Sequence, residues 1–271
     1  MKKNTVKVFV QFLLPVVLLA TSARAQDARE MVKRAVQAEM KASREDHSLW
    51  RYRDDEREKG TVSIVVQTAS GSVKRLVERG GRPIPEAEAK AEEDRLQGFV
   101  HDTARLAKQK RDAASDDKSA AALLTMLPDA FTWRVANESG DLVTLAFAPN
   151  PNFSPPDMQA RVLGTMSGDL VVDKRQHRIR TIKGTLTQDV MIGYGILGRL
   201  KQGGTFDVER RELKPGLWQI TETHVHIDGK ALFFKTIGQQ QDEVQTEFEE
   251  VPAGTTLEQA VALSRVGAGV R

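Results

Sequence analysis

The sequence contains no cysteine in 271 residues. That excludes disulfides, a thiol nucleophile and a lipid-bearing cysteine, and leaves the apolar core as the source of stability. Also missing is any apolar run near the roughly 20 residues that cross a bilayer as a helix; the run from Val8 to Ala20 falls short. No G-x-S-x-G elbow, P-loop or H-E-x-x-H pair is present, so these serine-hydrolase, nucleotide and zinc-protease signatures are lacking. Nor does one charge sign dominate once the N-terminus is set aside. Four of the 40 basic residues (Lys2, Lys3, Lys7 and Arg24) fall in the first 25 positions, where there is no acid, and the other 36 face 37 acids. Such a balance gives no electrostatic case for nucleic acid as a partner.

What is there begins with a leader. Lys2, Lys3 and Lys7 precede the apolar run, and Ala23-Arg24-Ala25 is a small-x-small cleavage site. This pattern predicts a signal peptide over residues 1–25, removed after Ala25, and a periplasmic or secreted mature chain. The rest is 26–271, within a composition of 40 % hydrophobic and 28 % charged residues. Its composition suits a globular domain able to bury a core. With no internal repeat and no linker in view, one domain is expected.

Residues 27–46 predict a helix, with Met31, Val32, Ala35, Val36 and Met40 on one stripe. From Leu49 the period changes to two. Trp50 and Tyr52 alternate with Arg51 and Arg53, then Val62, Ile64 and Val66 follow, then a third run over 72–78, which predicts adjacent antiparallel strands. A helical insert is expected at about 83–127. One amphipathic helix over 86–112 carries Leu96, Phe99, Val100, Leu106 and Ala107, and a short one over 118–127 stops at Pro128. After Phe131 the chain reads as consecutive antiparallel strands, including runs over 178–189, 205–213, 216–228, 231–238 and 243–249. The last has the polar alternation of an edge strand. A closing helix over 255–265 would be capped by Thr255 or Thr256.

Four pieces of this pattern carry a resemblance: Phe131-Thr132-Trp133; Leu145-Ala146-Phe147-Ala148-Pro149; Gly168-Asp169-Leu170-Val171-Val172-Asp173; and Arg178-Ile179-Arg180-Thr181-Ile182. Over Phe131 to Phe248 the chain resembles the bacterial outer-membrane lipoprotein-sorting (LolA/LolB-like) family. The resemblance implies an α+β fold in which a curved antiparallel sheet forms an incomplete β-barrel covered by helices, with a concave apolar face that accepts acyl chains. It implies no cofactor and no catalytic residue.

On that expectation the apolar wall is drawn from Trp50, Tyr52, Phe131, Trp133, Phe147, Phe206, Trp218 and Phe233, although aromatic residues at strand spacing also suit an ordinary core. Gly193, Gly195 and Gly198 fit G-x-G-x-x-G, but Gly203-Gly204 and a strand follow where a helix should open. A bent hairpin or barrel corner is the better reading. Ile192, Ile196 and Leu197 in that segment are candidates for a lip touching membrane or cargo. His224, His226 and Asp228 share one strand face and form a weak candidate metal site, with a solvated polar face as the plainer account. The function expected is a periplasmic carrier or sensor of an apolar ligand, a lipid or lipoprotein acyl chains, and not an enzyme. The alternatives are an envelope interaction or scaffold protein and, less favoured, a secreted metal-dependent hydrolase.

Overall fold

A computed structural model describes residues 14–192, 198–231 and 239–265. The fold is α+β: one large antiparallel sheet with helices, not closed into a barrel. Helix α1 (Leu14–Glu45) leads into strands β1 (Trp50–Glu56), β2 (Thr61–Thr68), β3 (Gly71–Arg79) and β4 (Arg82–Pro83). Helices α2 (Glu86–Val100) and α3 (Thr103–Ala130) come next, then β5 (Phe131–Ser139) and β6 (Leu142–Pro149). After a short α4 (Met158–Leu163) come β7 (Met166–Asp173), β8 (Arg178–Leu186), β9 (Val190–Ile192), β10 (Gly198–Leu200), β11 (Thr205–Lys214) and β12 (Leu217–Ile227). The chain ends in β13 (Gly229–Ala231), β14 (Gln239–Glu250) and α5 (Leu257–Leu263). No helix among the described residues is long and apolar enough to cross a membrane.

The 11-stranded sheet runs β4-β3-β2-β1-β14-β12-β11-β8-β7-β6-β5, and β13-β10-β9 make a separate small sheet. Three expectations change here. The insert breaks at His101–Asp102 and not near residue 112, because the Asp102 side chain accepts the Arg105 N–H and starts a new helix. That helix runs on past Pro128, which sits in its final turn. There the freed carbonyls find other donors: Arg29 Nε bonds the Pro128 carbonyl and Trp133 Nε1 the Leu127 carbonyl. Third, β14 is not an edge. It lies between β1 and β12, and its polar alternation reflects faces left uncovered, not a missing neighbour.

Directly opposed residues in an antiparallel ladder share a face. An unbroken row links Leu145, Leu170, Ile182, Val208, Thr223, Glu243, Glu56 and Thr61 across the sheet. On this face, at the Leu145 end, α1 packs Ala28, Val32, Ala35 and Val36 onto Phe131, Trp133, Leu145, Phe147 and Leu170. At the other end β2 is buried on both faces: Ser63 and Val65 on the Thr61 face and, one position out of phase with it, Val62, Ile64 and Val66. These last three therefore point to the opposite face, where Leu96 and Val100 of α2 and Leu257, Ala260 and Val261 of α5 cover them. The helices thus divide between the two faces at opposite ends of the sheet, and the core beneath α1 reaches Val225 and Ile227 of the central strand β12. The closing helix carries the expected cap at Thr256, as a full capping box with Gln259.

Candidate functional site

The aromatic candidates do not form one wall. Phe131, Trp133 and Phe147 make a compact trio with ring centroids 4.5 to 5.7 Å apart, buried beneath α1. Phe206 is half-buried against the same core. Trp50 and Tyr52 lie far along the sheet and pack on Phe248, Trp50 edge-on at 6.2 Å and Tyr52 stacked at 5.2 Å. Trp218 sits between these groups, with the Arg178 guanidinium 5.8 Å from its ring and its Nε1 donating to Gln176. Phe233 falls outside the described residues, as do Ile196, Leu197, Gly193 and Gly195; Ile192 is half-buried at the end of β9.

Two features escaped the sequence reading. The first is Glu39, on the buried stripe of α1 and only 6 % exposed at its side chain. Its carboxylate accepts two bonds from Arg178, both 3.1 Å, one from the Ile179 N–H at 2.8 Å, and a further one from Arg210. Burial alone would push this carboxyl up, but Arg210 and Arg178 outweigh it and hold it below the ordinary range. The signal was available: Glu39 lies four residues after Ala35, where the stripe calls for an apolar side chain.

The second is a fork in the sheet. Strands β12 and β14 pair from Ile227↔Gln239 to Glu222↔Val244 and then part. Beyond that point Leu217–Thr221 pairs with β11 alone and Gln245–Glu250 with β1 alone, among the described residues. The parting coincides with a bulge in β14, where Glu247 adopts φ 55°. An L-residue in that region costs about 1–2 kcal/mol. Beside the fork lies an open cleft of about 590 Å³, walled by Arg211, Leu213 and Lys214 of β11, Gln245–Glu250 of β14 and Trp50 of β1, with Thr221 as the β12 residue that reaches it. Of these, only Trp50 had been singled out.

His224 is held between Asp242 at 2.8 Å and Glu222 at 3.3 Å, while His226 bonds Gln240, which in turn bonds Asp228. These are two separate polar pairings. Among the described residues no three potential ligands converge on a metal position. On the other face Asp54 lies against Glu243 and Lys74. Its Oδ1 is buried with no hydrogen-bond partner. Burial, then the adjacent Glu243, push the Asp54 carboxyl up to about 6, while the Glu243 carboxyl is held below its ordinary range, so that of the two it is Asp54 that takes up a proton first as pH falls. Because this value lies above the unfolded one, the stability it contributes is complete below about pH 4 and is lost as pH rises through about 6. We expect Asp54→Asn to abolish that component of the decline, read as urea midpoints from pH 4 to 8; a variant tracking the parent would refute it.

Against family models, curated proteins and solved structures, the chain has no match. The site is therefore argued on geometry alone. The features it offers are a buried helix-to-sheet ion cluster and an open cleft.

Proposed function

We propose that the protein is an exported carrier or sensor of an apolar ligand, a lipid or the acyl chains of a lipoprotein, which it takes up between α1 and the sheet. The observation that carries this reading is the cover itself. One helix, through the small side chains Ala28, Val32, Ala35 and Val36, overlies a broad apolar sheet face that includes the Phe131, Trp133 and Phe147 trio. The Glu39 cluster fastens that helix near its C-terminal end. Displacing α1 would expose the face to a guest. Each methylene buried there gains about 0.8 kcal/mol, so a chain of about 12 gains about 10 kcal/mol, enough to offset a helix moved aside. The α1 side chains named here, Ala28 to Val36, all lie beyond the predicted cleavage point.

The test is native mass spectrometry of protein recovered from the cell envelope, with uptake of an apolar fluorescent probe measured in parallel. Copurified lipid is expected, with faster uptake by Glu39→Gln and reduced uptake by Phe147→Asp where circular dichroism shows that variant still folded. A bare polypeptide, with no uptake by the parent or by Glu39→Gln, would rule the reading out.

A further inference from the structure

We infer that the fork between β12 and β14 is a docking slot for an extended polypeptide segment of a partner protein, independently of any ligand beneath α1. Both arms of the fork are strands satisfied on one side only, Leu217–Thr221 by β11 and Gln245–Glu250 by β1. Their facing edges carry backbone N–H and C=O groups with no ladder between them among the described residues. Such edges are templates for another strand. A hydrocarbon chain has no donors or acceptors to offer them; a peptide backbone presents both, alternating along each of its own edges.

Length and floor agree with this. Five residues of β12 extend about 17 Å at roughly 3.4 Å each, room for a five-residue insertion. A cleft of 590 Å³ lies within the range of about 300–1,000 Å³ typical of binding pockets. Because β12 and β14 are antiparallel, the guest runs antiparallel to one wall and parallel to the other, a mixed arrangement that large sheets tolerate. Its inward side chains meet Phe248, which rests on the buried Trp50 ring, and this favours an alternating apolar sequence. Lys214 spans the mouth to Glu250 and stands 6.0 Å over the Trp50 ring. An exposed pair of this kind is worth about 0–1 kcal/mol, so the mouth opens at little cost. The strained Glu247 backbone keeps β14 turned away from β12, and strain of this sort gathers at binding sites.

The experiment pans phage-displayed random dodecapeptides against the full chain and reads the selected synthetic peptide by amide hydrogen exchange. Expected are enriched alternating apolar sequences and about tenfold or greater slowing of exchange in 217–221 and 245–250. Phe248→Ala should weaken binding about tenfold or more. In the otherwise cysteine-free chain, Thr221→Cys with Gln245→Cys allows a reversible check, the oxidised form losing the peptide and the reduced form regaining it. No enrichment, slowed exchange elsewhere only, binding untouched by Phe248→Ala, or protection of these amides by phosphatidylglycerol vesicles and not by peptide would each overturn the inference.

Discussion

Glu39→Ala is expected to remove about 3 kcal/mol of folding stability, because it strands the buried guanidinium of Arg178 and the half-buried one of Arg210. Arg178 is 8 % exposed and bonds both Glu39 oxygens, and Arg210 bonds the same carboxylate. Without the acid, Arg178 keeps only the Gly216 carbonyl and the Trp218 ring. The pH dependence follows from the lowered carboxyl. Its folded value lies below the unfolded one, so the stabilisation is present above about pH 4.5 and lost as pH falls through the folded value. Urea unfolding at pH 7 should therefore separate parent and variant widely, and the gap should narrow as pH falls below about 4.5. Replacing all three groups by Met or Leu of similar volume should restore stability or exceed the parent, since an ion cluster in apolar surroundings barely recovers its desolvation cost. A loss below 1 kcal/mol in Glu39→Ala would mean that water already reaches the cluster.

The two outcomes separate stability from function. If α1 is a movable cover, weakening its fastening should speed probe uptake while lowering the unfolding midpoint. A purely structural ion cluster would lower the midpoint alone.

Much of the local structure was legible because the signals are local. The stripe of Val32, Ala35 and Val36 specified α1, and period-two alternation specified β1, β2 and β3. The threonines at 255 and 256 ahead of an apolar run marked the start of α5, and the cap falls on Thr256. What escaped depends on partners far along the chain. Alternation puts Val244 and Phe248 on one face, but the bulge at Glu247 turns Phe248 to the side of Glu243, against Tyr52 of the flanking β1. Polar residues were read as an edge when they mark bare faces. Nor does period-two patterning say which face of one sheet a helix will choose. Val62 and Leu145 look alike in sequence yet are covered from opposite sides. The fork left no trace, since it rests on Glu247 taking a conformation for which glycine or asparagine is the usual sign. Glu39 alone among the missed features could have been found, as a charge on an apolar stripe.

Gly168→Ala is the other substitution expected to be severe. Gly168 and Gly184 face each other across β7 and β8, in a row with Phe147 on one side and Phe206 on the other. A methyl on Gly168 would lie 1.8 Å from the Lys183 carbonyl oxygen. Backbone, not a pliable side chain, is in the way, so β7 and β8 must part, and we expect a loss of about 3 kcal/mol. Gly184→Ala is the control. Its methyl would meet Met166 Sδ at 3.4 Å and Phe147 Cζ at 3.5 Å, ordinary contacts that should cost under about 1 kcal/mol. Neither glycine needs its own φ/ψ region; the requirement is close approach, and only at the first. Urea midpoints for the pair, with unchanged m-values, decide the matter. Equal effects would mean that the sheet yields at Gly168. A large effect confined to Gly168 would show that the seat of Phe147, and with it the apolar face under α1, is fixed by how closely these two strands meet.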